Sequence, residues 1–237
     1  MDRLAPGAFF DALDDLGTAG FWRAGEPVWA ALGARLREVM DGAVRREIKG
    51  SVMPGATLFD GAIFVGEGAV IEPGAVIKAP VWIGPGAEIR AHAYLREHSW
   101  IGPGAVVGHC TEVKGSILLP GAVAPHFNYV GDSILGRDVN LGAGTILSNL
   151  KNVEGHVFVP VDGQPVDTGL RKFGAILGDG SKTGCNTVTN PGVIFGRRVV
   201  CYPNASIRAG LYPDGTIVKL RQDQPLDRLR AWPGSRR

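Results

Sequence analysis

The sequence predicts an all-β fold: a left-handed parallel β-helix of hexapeptide repeats with a helical N-terminal cap and an inserted hairpin. Two observations predict it. Glycine is abundant, with 35 Gly and 16 Pro among 237 residues and no collagen triplet, which indicates turns at regular intervals. In addition, an apolar residue recurs at every sixth position through ten steps: Val65, Ile71, Ile77, Ile83, Ile89, Leu95, Ile101, Val107, Val113 and Leu119.

The period of six decides the architecture. An amphipathic helix places apolar residues three and four apart, and an ordinary strand places them at every second position. A hexapeptide instead forms one short strand and a turn, so three of them make a triangular coil of about eighteen residues, and the coils stack about 4.8 Å apart. The aliphatic residue should point inward, and so should the small or β-branched fifth residue of each hexad: Ala69, Ala75, Val81, Ala87, Ala93, Ser99, Ala105 and Thr111.

The register is interrupted twice. The step that should reach an aliphatic residue at 125 finds Pro125, and the register resumes at Leu135, Leu141 and Leu147. It fails again across 149–176 and then returns. The expected total is roughly six or seven coils, including a last series: Leu177, Thr183, Thr189, Phe195, Cys201 and Ile207.

Three segments outside the repeat set the expected domain boundaries. Residues 1–55 should form a helical N-terminal cap, because "PVWAALGARLREVMDGAV" has apolar residues three and four apart and a solenoid needs its open end covered. Residues 56–215 should form the β-helix with an insertion at about 150–172, where apolar residues flanking an Asp-Gly predict a protruding hairpin over 157–169. Residues 216–237 should form a basic C-terminal tail.

Composition excludes several classes of protein. A net charge of +2, from 25 Lys and Arg against 23 Asp and Glu, is too even to indicate a nucleic-acid partner. No stretch approaches the ~20 apolar residues of a membrane span, and the N-terminus is acidic where a signal peptide would be basic. Cys110, Cys185 and Cys201 are far apart and odd in number, which argues against a disulfide framework. We therefore expect a cytoplasmic protein with no membrane partner.

Three cations should form a column on one face. Lys78, Arg96 and Lys114 are eighteen residues apart, so they should stack at about the 4.8 Å spacing of the coils. Like charges at that separation repel modestly in water, so a bound anion would stabilise them, and Lys with Arg suits a phosphate. A column of solvated, mobile side chains is the equally weighted alternative.

The histidines do not predict a metal site. His92, His109 and His126 are seventeen residues apart rather than eighteen, so each slips one place in the hexad and the three should point in different directions. The cysteines include no C-x-x-C pair. No metal is therefore expected.

The first interruption, "APHFNYVGD" (124–132), marks a candidate active site. His126 stands there in a scaffold otherwise built of Gly, Ala and Val. Near it in the repeat are several amide and titratable side chains, a combination typical of catalytic sites: Glu112, Lys114, Asn128, Tyr129, Asn140 and Asn149.

Residues 112–149 also resemble a known family, the hexapeptide-repeat acyltransferases. The stretch "EVKGSILLPGAVAPHFNYVGDSILGRDVNLGAGTILSN" looks like the acetyltransferase domain of the bacterial bifunctional enzyme that forms UDP-N-acetylglucosamine, a glucosamine-1-phosphate N-acetyltransferase. That domain carries E-x-K, then G-H-x-x-Y-x-G, then N-x-G-A-G-T and a further Asn. The resemblance extends loosely over about 60–215 and is specific within 96–149.

The resemblance implies catalytic roles for three residues. His126 would be the general base that takes a proton from the sugar 2-amine as it attacks the thioester of acetyl-CoA. Glu112 would orient or polarise the imidazole. Asn149 would lie near the thioester carbonyl or the sugar.

The resemblance also implies binding residues and an assembly. Arg96 and Lys114 would bind the sugar phosphate, and Tyr129 and Asn140 would hold the sugar. Lys172, in "RKFG", falls where the family has a basic residue close to the sugar site of a neighbouring subunit. Cys185 and the residues after it would flank acetyl-CoA, and a homotrimer with sites between subunits would follow.

The chain departs from the family pattern at three points. Pro125 replaces the first Gly of G-H-x-x-Y, Leu150 stands where the family has Tyr, and about seventeen residues are inserted before Lys172. No Gly-rich, Arg-containing nucleotide loop appears in residues 1–60, so the chain is not expected to make the sugar nucleotide itself.

Two other functions are compatible with the sequence. One is a non-catalytic hexapeptide-repeat module that binds a sugar phosphate or nucleotide and regulates a partner enzyme, which the altered acetyl-CoA region and the extra hairpin favour. The other is an acyltransferase that carries a longer acyl chain to a lipid precursor, which would need an apolar groove.

Overall fold

The computed structural model describes residues 2–11, 13 and 20–220 and shows a left-handed parallel β-helix with three flat faces. The strands are numbered in chain order, and each regular coil contributes one strand to face 1, then to face 2, then to face 3. The predicted fold class is confirmed. In the described residues no helix is long and apolar enough to cross a membrane.

Face 1 is a nine-stranded sheet: β1 (Glu47–Ile48), β4 (Ile63–Val65), β7 (Val81–Ile83), β10 (Ser99–Ile101), β13 (Ile117–Leu118), β16 (Ile134–Leu135), β20 (Ala175–Leu177), β23 (Val193–Phe195) and β26 (Gly210–Tyr212). Face 2 has a lower and an upper part: β2 (Ser51–Val52), β5 (Val70–Ile71), β8 (Glu88–Ile89), β11 (Val106–His109) and β14 (Val123–His126), then β21 (Lys182–Thr183), β24 (Val200–Cys201) and β27 (Ile217–Val218). Face 3 is an eight-stranded sheet: β3 (Thr57–Leu58), β6 (Val76–Ile77), β9 (Tyr94–Leu95), β12 (Glu112–Lys114), β15 (Tyr129–Gly131), β17 (Ile146–Leu147), β22 (Val188–Thr189) and β25 (Ser206–Ile207).

The interior of the solenoid is built as the hexads predict. The aliphatic residues from Val65 to Val113 are fully buried, and the small fifth residues fill the remaining space. Ser99 and Thr111 are buried there too, and each hydroxyl donates to a backbone carbonyl, so neither carries an unpaired polar group into the core.

Two coils contain seventeen residues instead of eighteen, so the register of six is lost earlier in the chain than the sequence predicts. Ile101 pairs with Leu118, and Leu118 pairs with Leu135, so the chain takes only five residues from Val113 to the next inward side chain. Leu119, predicted to point inward, faces outward against the N-terminal segment instead.

The solenoid also has more coils than the six or seven predicted, since face 1 alone has nine strands. The first coil is out of register because its inward residues, Val52 and Leu58, pair with Ile71 and Ile77, nineteen positions later. The last strand, β27, lies beyond Ile207, where the regular series ends.

The N-terminal segment packs along face 1, a position that the sequence did not predict. Its described part contains 3-10 helices at Asp2–Leu4, Pro6–Ala8 and Val28–Ala31 and the helix α1 (Ala34–Ala43). Face 1 turns large apolar side chains outward, among them a stack in which the Trp82 and Trp100 ring centroids lie 3.9 Å apart. Phe21 contacts Trp100 edge-on at 5.1 Å. Removing this apolar surface from water is the physical reason for the segment's position.

The inserted hairpin forms as predicted, from β18 (Phe158–Val161) and β19 (Gln164–Asp167). Asp162 and Gly163 make the turn with φ of 50° and 78°, the left-handed region that an Asp-Gly hairpin turn requires. Val159 is buried against face 1, and Arg3 pairs with Asp162 at 2.7 Å, which joins the hairpin to the N-terminal segment. Nearly all of the expected C-terminal tail, residues 221–237, lies outside the described residues.

Candidate active site

Two edges of face 3 carry the candidate residues. The 3–1 corner, where face 3 turns into face 1, comprises residues 96–98, 114–115, 131–132 and 149. The 2–3 corner, where face 2 turns into face 3, comprises residues 109–110, 126–127, 143–144 and 185–186. Backbone hydrogen bonds between successive coils hold both corners in line, such as that from the Asp132 N–H to the Lys114 carbonyl (2.9 Å).

Arg96 and Glu112 form an ion pair on face 3. The Arg96 Nη1 atom lies 3.0 Å from Glu112 Oε1, and its Nε atom lies 3.9 Å from a Glu97 carboxylate oxygen. The hydrogen bond to Glu112 raises the pKa of Arg96. Glu112 is therefore engaged by a guanidinium, and no contact with the imidazole of His126 appears in the described residues.

Lys114, Asp132 and Asn149 form a second group at the 3–1 corner. The Lys114 Nζ atom lies 3.1 Å from Asp132 Oδ2, with the two side chains only 20% and 12% exposed. Asn149 donates a short hydrogen bond from Nδ2 to the same carboxylate. Asp132 thus fixes both an expected phosphate ligand and an expected catalytic amide.

Tyr129 links the two groups. It pairs in register with Glu112, so the two side chains lie next to each other on face 3. Burial raises the pKa of Tyr129, the carboxylates of Glu112 and Asp132 raise it further, and a hydrogen bond with the Asn149 side chain opposes them. The phenol therefore stays protonated and can serve as a hydrogen-bond donor.

His126 is exposed at the end of β14, on the 2–3 corner. The buried Asn128 holds its backbone, because Asn128 Oδ1 accepts the His126 N–H (3.1 Å) and Asn128 Nδ2 donates to the Gly142 carbonyl (2.8 Å). Phe127 between them has φ of 52°. Asn128 is thus a structural residue, and it fixes where the imidazole leaves the corner.

The predicted cationic column exists, but it is interleaved with the chain's own side chains. The Lys78 ammonium lies 5.2 Å from the centre of the Tyr94 ring, and a hydrogen bond with Tyr94 raises the pKa of Lys78. Arg96 and Lys114 each have a carboxylate partner. The column is therefore held by protein groups on face 3.

Three expected residues lie elsewhere in the same chain. Asn140 is exposed on face 2, bridging Val123 and Lys182, so a single chain does not bring it beside Tyr129. Lys172 is exposed where the insertion returns to the solenoid, bridged to Leu150 beside Asn149. Cys185 is exposed on the 2–3 corner, above His126.

The histidines do not diverge as predicted. His109 pairs in register with His126 because the intervening coil has seventeen residues. The ring of His92 meets the ring of His109 edge-on at 5.7 Å. The described part of the chain contains no group of three or more His, Cys, Asp or Glu side chains arranged to hold a metal ion.

Asp132 is the site residue that the sequence interpretation missed. Asp132 lies eighteen residues after Lys114, the spacing of the cationic column. Because this coil has only seventeen residues, Gly131 takes the column position and Asp132 lies one residue further, where its carboxylate pairs with Lys114.

An exposed apolar groove of about 460 Å³ adjoins Asn149. Leu150 and Val153 line it from the start of the insertion, Phe158 from the hairpin and Pro191 from the next coil. The insertion thus forms a wall of a groove at the 3–1 corner.

A family model described as the GMPPB C-terminal domain matches residues 77–217. The bifunctional protein GlmU of Methanococcus aeolicus is 35% identical over 84% of this chain and 48% of its own length. That of Methanococcus maripaludis is 42% identical over 67% of this chain and 38% of its own. The chain thus spans less than half of these relatives, and they confirm the resemblance to the acetyltransferase domain. A solved structure of an N-acyltransferase from Bacillus cereus, in complex with dTDP and coenzyme A, matches 81% of this chain and 89% of its own at 15% identity, with a TM-score of 0.31.

Proposed function

The chain belongs to the GMPPB C-terminal domain family, and from this premise we propose that it is an acetyl-CoA-dependent N-acetyltransferase whose acceptor is an amino-sugar phosphate or a nucleotide amino sugar. One observation carries the proposal. Tyr129 and Glu112 lie side by side on face 3, between the 3–1 corner, which carries Arg96 and Lys114, and the exposed His126. Face 3 thus has side chains that can bind a phosphate at one end and a side chain that can accept a proton at the other.

The acceptor would lie across face 3. Its phosphate would take ionic hydrogen bonds from Arg96 and Lys114, which suit phosphate oxygens. Tyr129 would donate its phenolic proton to a sugar oxygen, and Asn149 would bond the sugar or the thioester carbonyl. Glu112 to Lys114 spans only about 7 Å of strand, so the sugar would bridge from the corner to the middle of the face.

His126 would act as the general base. When bound, acetyl-CoA supplies the acetyl thioester. As the sugar nitrogen bonds to the thioester carbon, His126 would take the proton that the nitrogen loses, and the C–S bond would break to leave the thiol of CoA after protonation. Proton transfer of this kind is worth roughly 10²–10⁴-fold in rate. Glu112 would act by holding Arg96 rather than by touching the imidazole.

Acetyl-CoA would lie along the 2–3 corner. Above His126 this corner carries only the small residues Gly142, Ala143 and Gly144 before Cys185 is reached, so a slender chain can lie against the backbone. Asn140 on face 2 would then contribute to the site of a second subunit. A homotrimer in which face 2 of one subunit meets face 3 of the next would bring Asn140 and Tyr129 together.

A non-catalytic sugar-phosphate or nucleotide-binding module that regulates a partner enzyme is the second candidate. The observation in its favour is that Glu112 contacts Arg96, while no carboxylate contact to the His126 imidazole appears in the described residues. Such a module would bind the acceptor without consuming a thioester.

An assay of thiol release distinguishes the acetyltransferase from the non-catalytic binding module. The protein is incubated with acetyl-CoA and glucosamine-1-phosphate, and free CoA is followed with a thiol reagent, beside the His126→Ala variant. The proposal expects release that needs both substrates and falls by about 10²-fold or more in the variant. Binding of the phosphate without release, for glucosamine-1-phosphate and for nucleotide amino sugars alike, would support the module.

A further inference from the structure

The N-terminal segment brings a side chain to the candidate site that the solenoid lacks. A cavity of about 120 Å³ lies between α1 and the 3–1 corner. Arg37 lines it from α1, and Lys114 and Asp132 line it from the solenoid. The cavity therefore borders the Lys114–Asp132 pair at the edge where face 3 meets face 1.

Helix α1 is held rigidly beside this cavity. Its Leu36 and Met40 side chains are buried in the cluster over face 1. Asp41 lies 3.1 Å from the Nε2 atom of His98, which itself lines the cavity. Arg37, one turn before Asp41, is thereby presented to the corner by a helix fixed on two sides.

The charges at the corner show why this position matters. Three carboxylates, Glu97, Glu112 and Asp132, surround Arg96 and Lys114, which leaves a net charge of −1 among these five groups. Two cations in such surroundings attract a phosphate weakly. A further cation is needed before the corner favours an anion.

Arg37 is the cation available for that purpose. Its side chain is exposed, and no ion pair joins it to a carboxylate within the part of the chain that the structure describes. With Arg37 the net charge of these groups rises from −1 to zero, which removes their net repulsion of a phosphate. A guanidinium can also bind two phosphate oxygens at once, which an ammonium cannot.

We propose that Arg37 is a substrate-binding residue that holds a phosphoryl group of the acceptor in the cavity between α1 and the 3–1 corner. The identity of the acceptor rests on the proposed function; the binding of a phosphoryl group does not. The N-terminal segment then has a role beyond covering face 1, because it completes the phosphate site from outside the repeat.

Calorimetry without acetyl-CoA tests this directly. Glucosamine-1-phosphate and inorganic phosphate are titrated into the wild type, Arg37→Gln, Arg37→Lys and Arg23→Gln. Arg23→Gln is the matched control, since Arg23 is an exposed arginine of the same segment outside the cavity lining. We expect Arg37→Gln to raise the dissociation constants of both ligands about five- to tenfold. This is less than the loss of a buried charged hydrogen bond would cause, because the Arg37 side chain is exposed. Arg37→Lys should fall in between, and Arg23→Gln should match the wild type.

The outcomes separate this proposal from the proposed function. Weakened phosphate binding in Arg37→Gln alone supports the role of Arg37, even if no acetyl transfer is ever detected. Equal affinities in Arg37→Gln and Arg23→Gln, or no phosphate binding by the wild type, would overturn it even if the protein transfers acetyl groups. Where transfer is seen, Arg37→Gln should raise KM for glucosamine-1-phosphate and leave KM for unphosphorylated glucosamine unchanged.

Discussion

Gly108 lies directly beneath the strand that carries His126, and replacing it tests how that strand is positioned. Its φ is not in the left-handed region, so the requirement for glycine is one of space. A Cβ atom at 108 would stand 1.7 Å from the Pro125 carbonyl oxygen and 2.4 Å from the Pro125 Cα atom. Ordinary contact begins near 3.4 Å, so Gly108→Ala must move β14 away from β11 by about 1.7 Å.

A displacement of that size is large against the coil spacing of about 4.8 Å. It stretches the bonds that join the two coils, such as that from the Phe127 N–H to the His109 carbonyl (3.0 Å). Overpacking costs about 1–3 kcal/mol and each lost hydrogen bond about 1 kcal/mol, so we expect a loss of about 3–5 kcal/mol in the free energy of unfolding. The imidazole of His126 moves with its strand, so turnover should fall as well.

Urea unfolding and the thiol-release assay measure both effects. Gly42→Ala is the matched control, because Gly42 is helical and, beyond the neighbouring backbone of its own helix, an added Cβ would meet no atom within 4 Å. Alanine there should stabilise the protein by about 0.5–1 kcal/mol. If Gly108→Ala unfolds at the same urea concentration as Gly42→Ala and keeps full turnover, the packing of β14 on β11 is not what positions His126.

Two further predictions concern a buried amide and the cysteines. Asn128→Ala leaves the His126 N–H without its hydrogen-bond partner. We therefore expect urea unfolding to show a loss of about 1–3 kcal/mol in the free energy of unfolding, and kcat to fall. A change in KM alone would contradict the role of Asn128 in positioning His126. In an alkylation experiment on the folded protein, Cys110 and Cys185 should react and Cys201 should not, because burial both shields the Cys201 thiol and raises its pKa; modification of all three at equal rates would contradict the buried position.

The period of six was sufficient to predict the fold, because in a β-helix the inward position is set by local strand and turn geometry. It could not predict where a coil shortens. Leu118 and Leu119 are both aliphatic, so sequence alone does not tell which of them points inward, and the pairing of Leu118 with Ile101 decides it. The place of the N-terminal segment was missed for a related reason: Trp82 and Trp100 sit at hexad positions that are usually exposed, and only their stacking shows a surface that must be covered.

The sequence predicts the positions of the candidate-site residues that the hexad repeat places. It does not predict the contacts that depend on side-chain geometry or the residues that lie outside the repeat. Arg96, Lys114 and Tyr129 meet on face 3 because coil spacing places them there. The pairing of Glu112 with Arg96 depends on side-chain geometry between coils, which the spacing does not determine. Arg37 comes from outside the repeat, so nothing in the period of six connects it with Lys114.

The central claim is that an acetyl group passes directly from a thioester to an amine on this chain, with His126 as the base. The most direct test is mass spectrometry with NMR of glucosamine-1-phosphate after incubation with acetyl-CoA and the wild type or His126→Ala. The account predicts an acceptor acetylated on its nitrogen with the wild type and an essentially unmodified acceptor with the variant. Acetylation on an oxygen, or equal N-acetylation by both proteins, would contradict it.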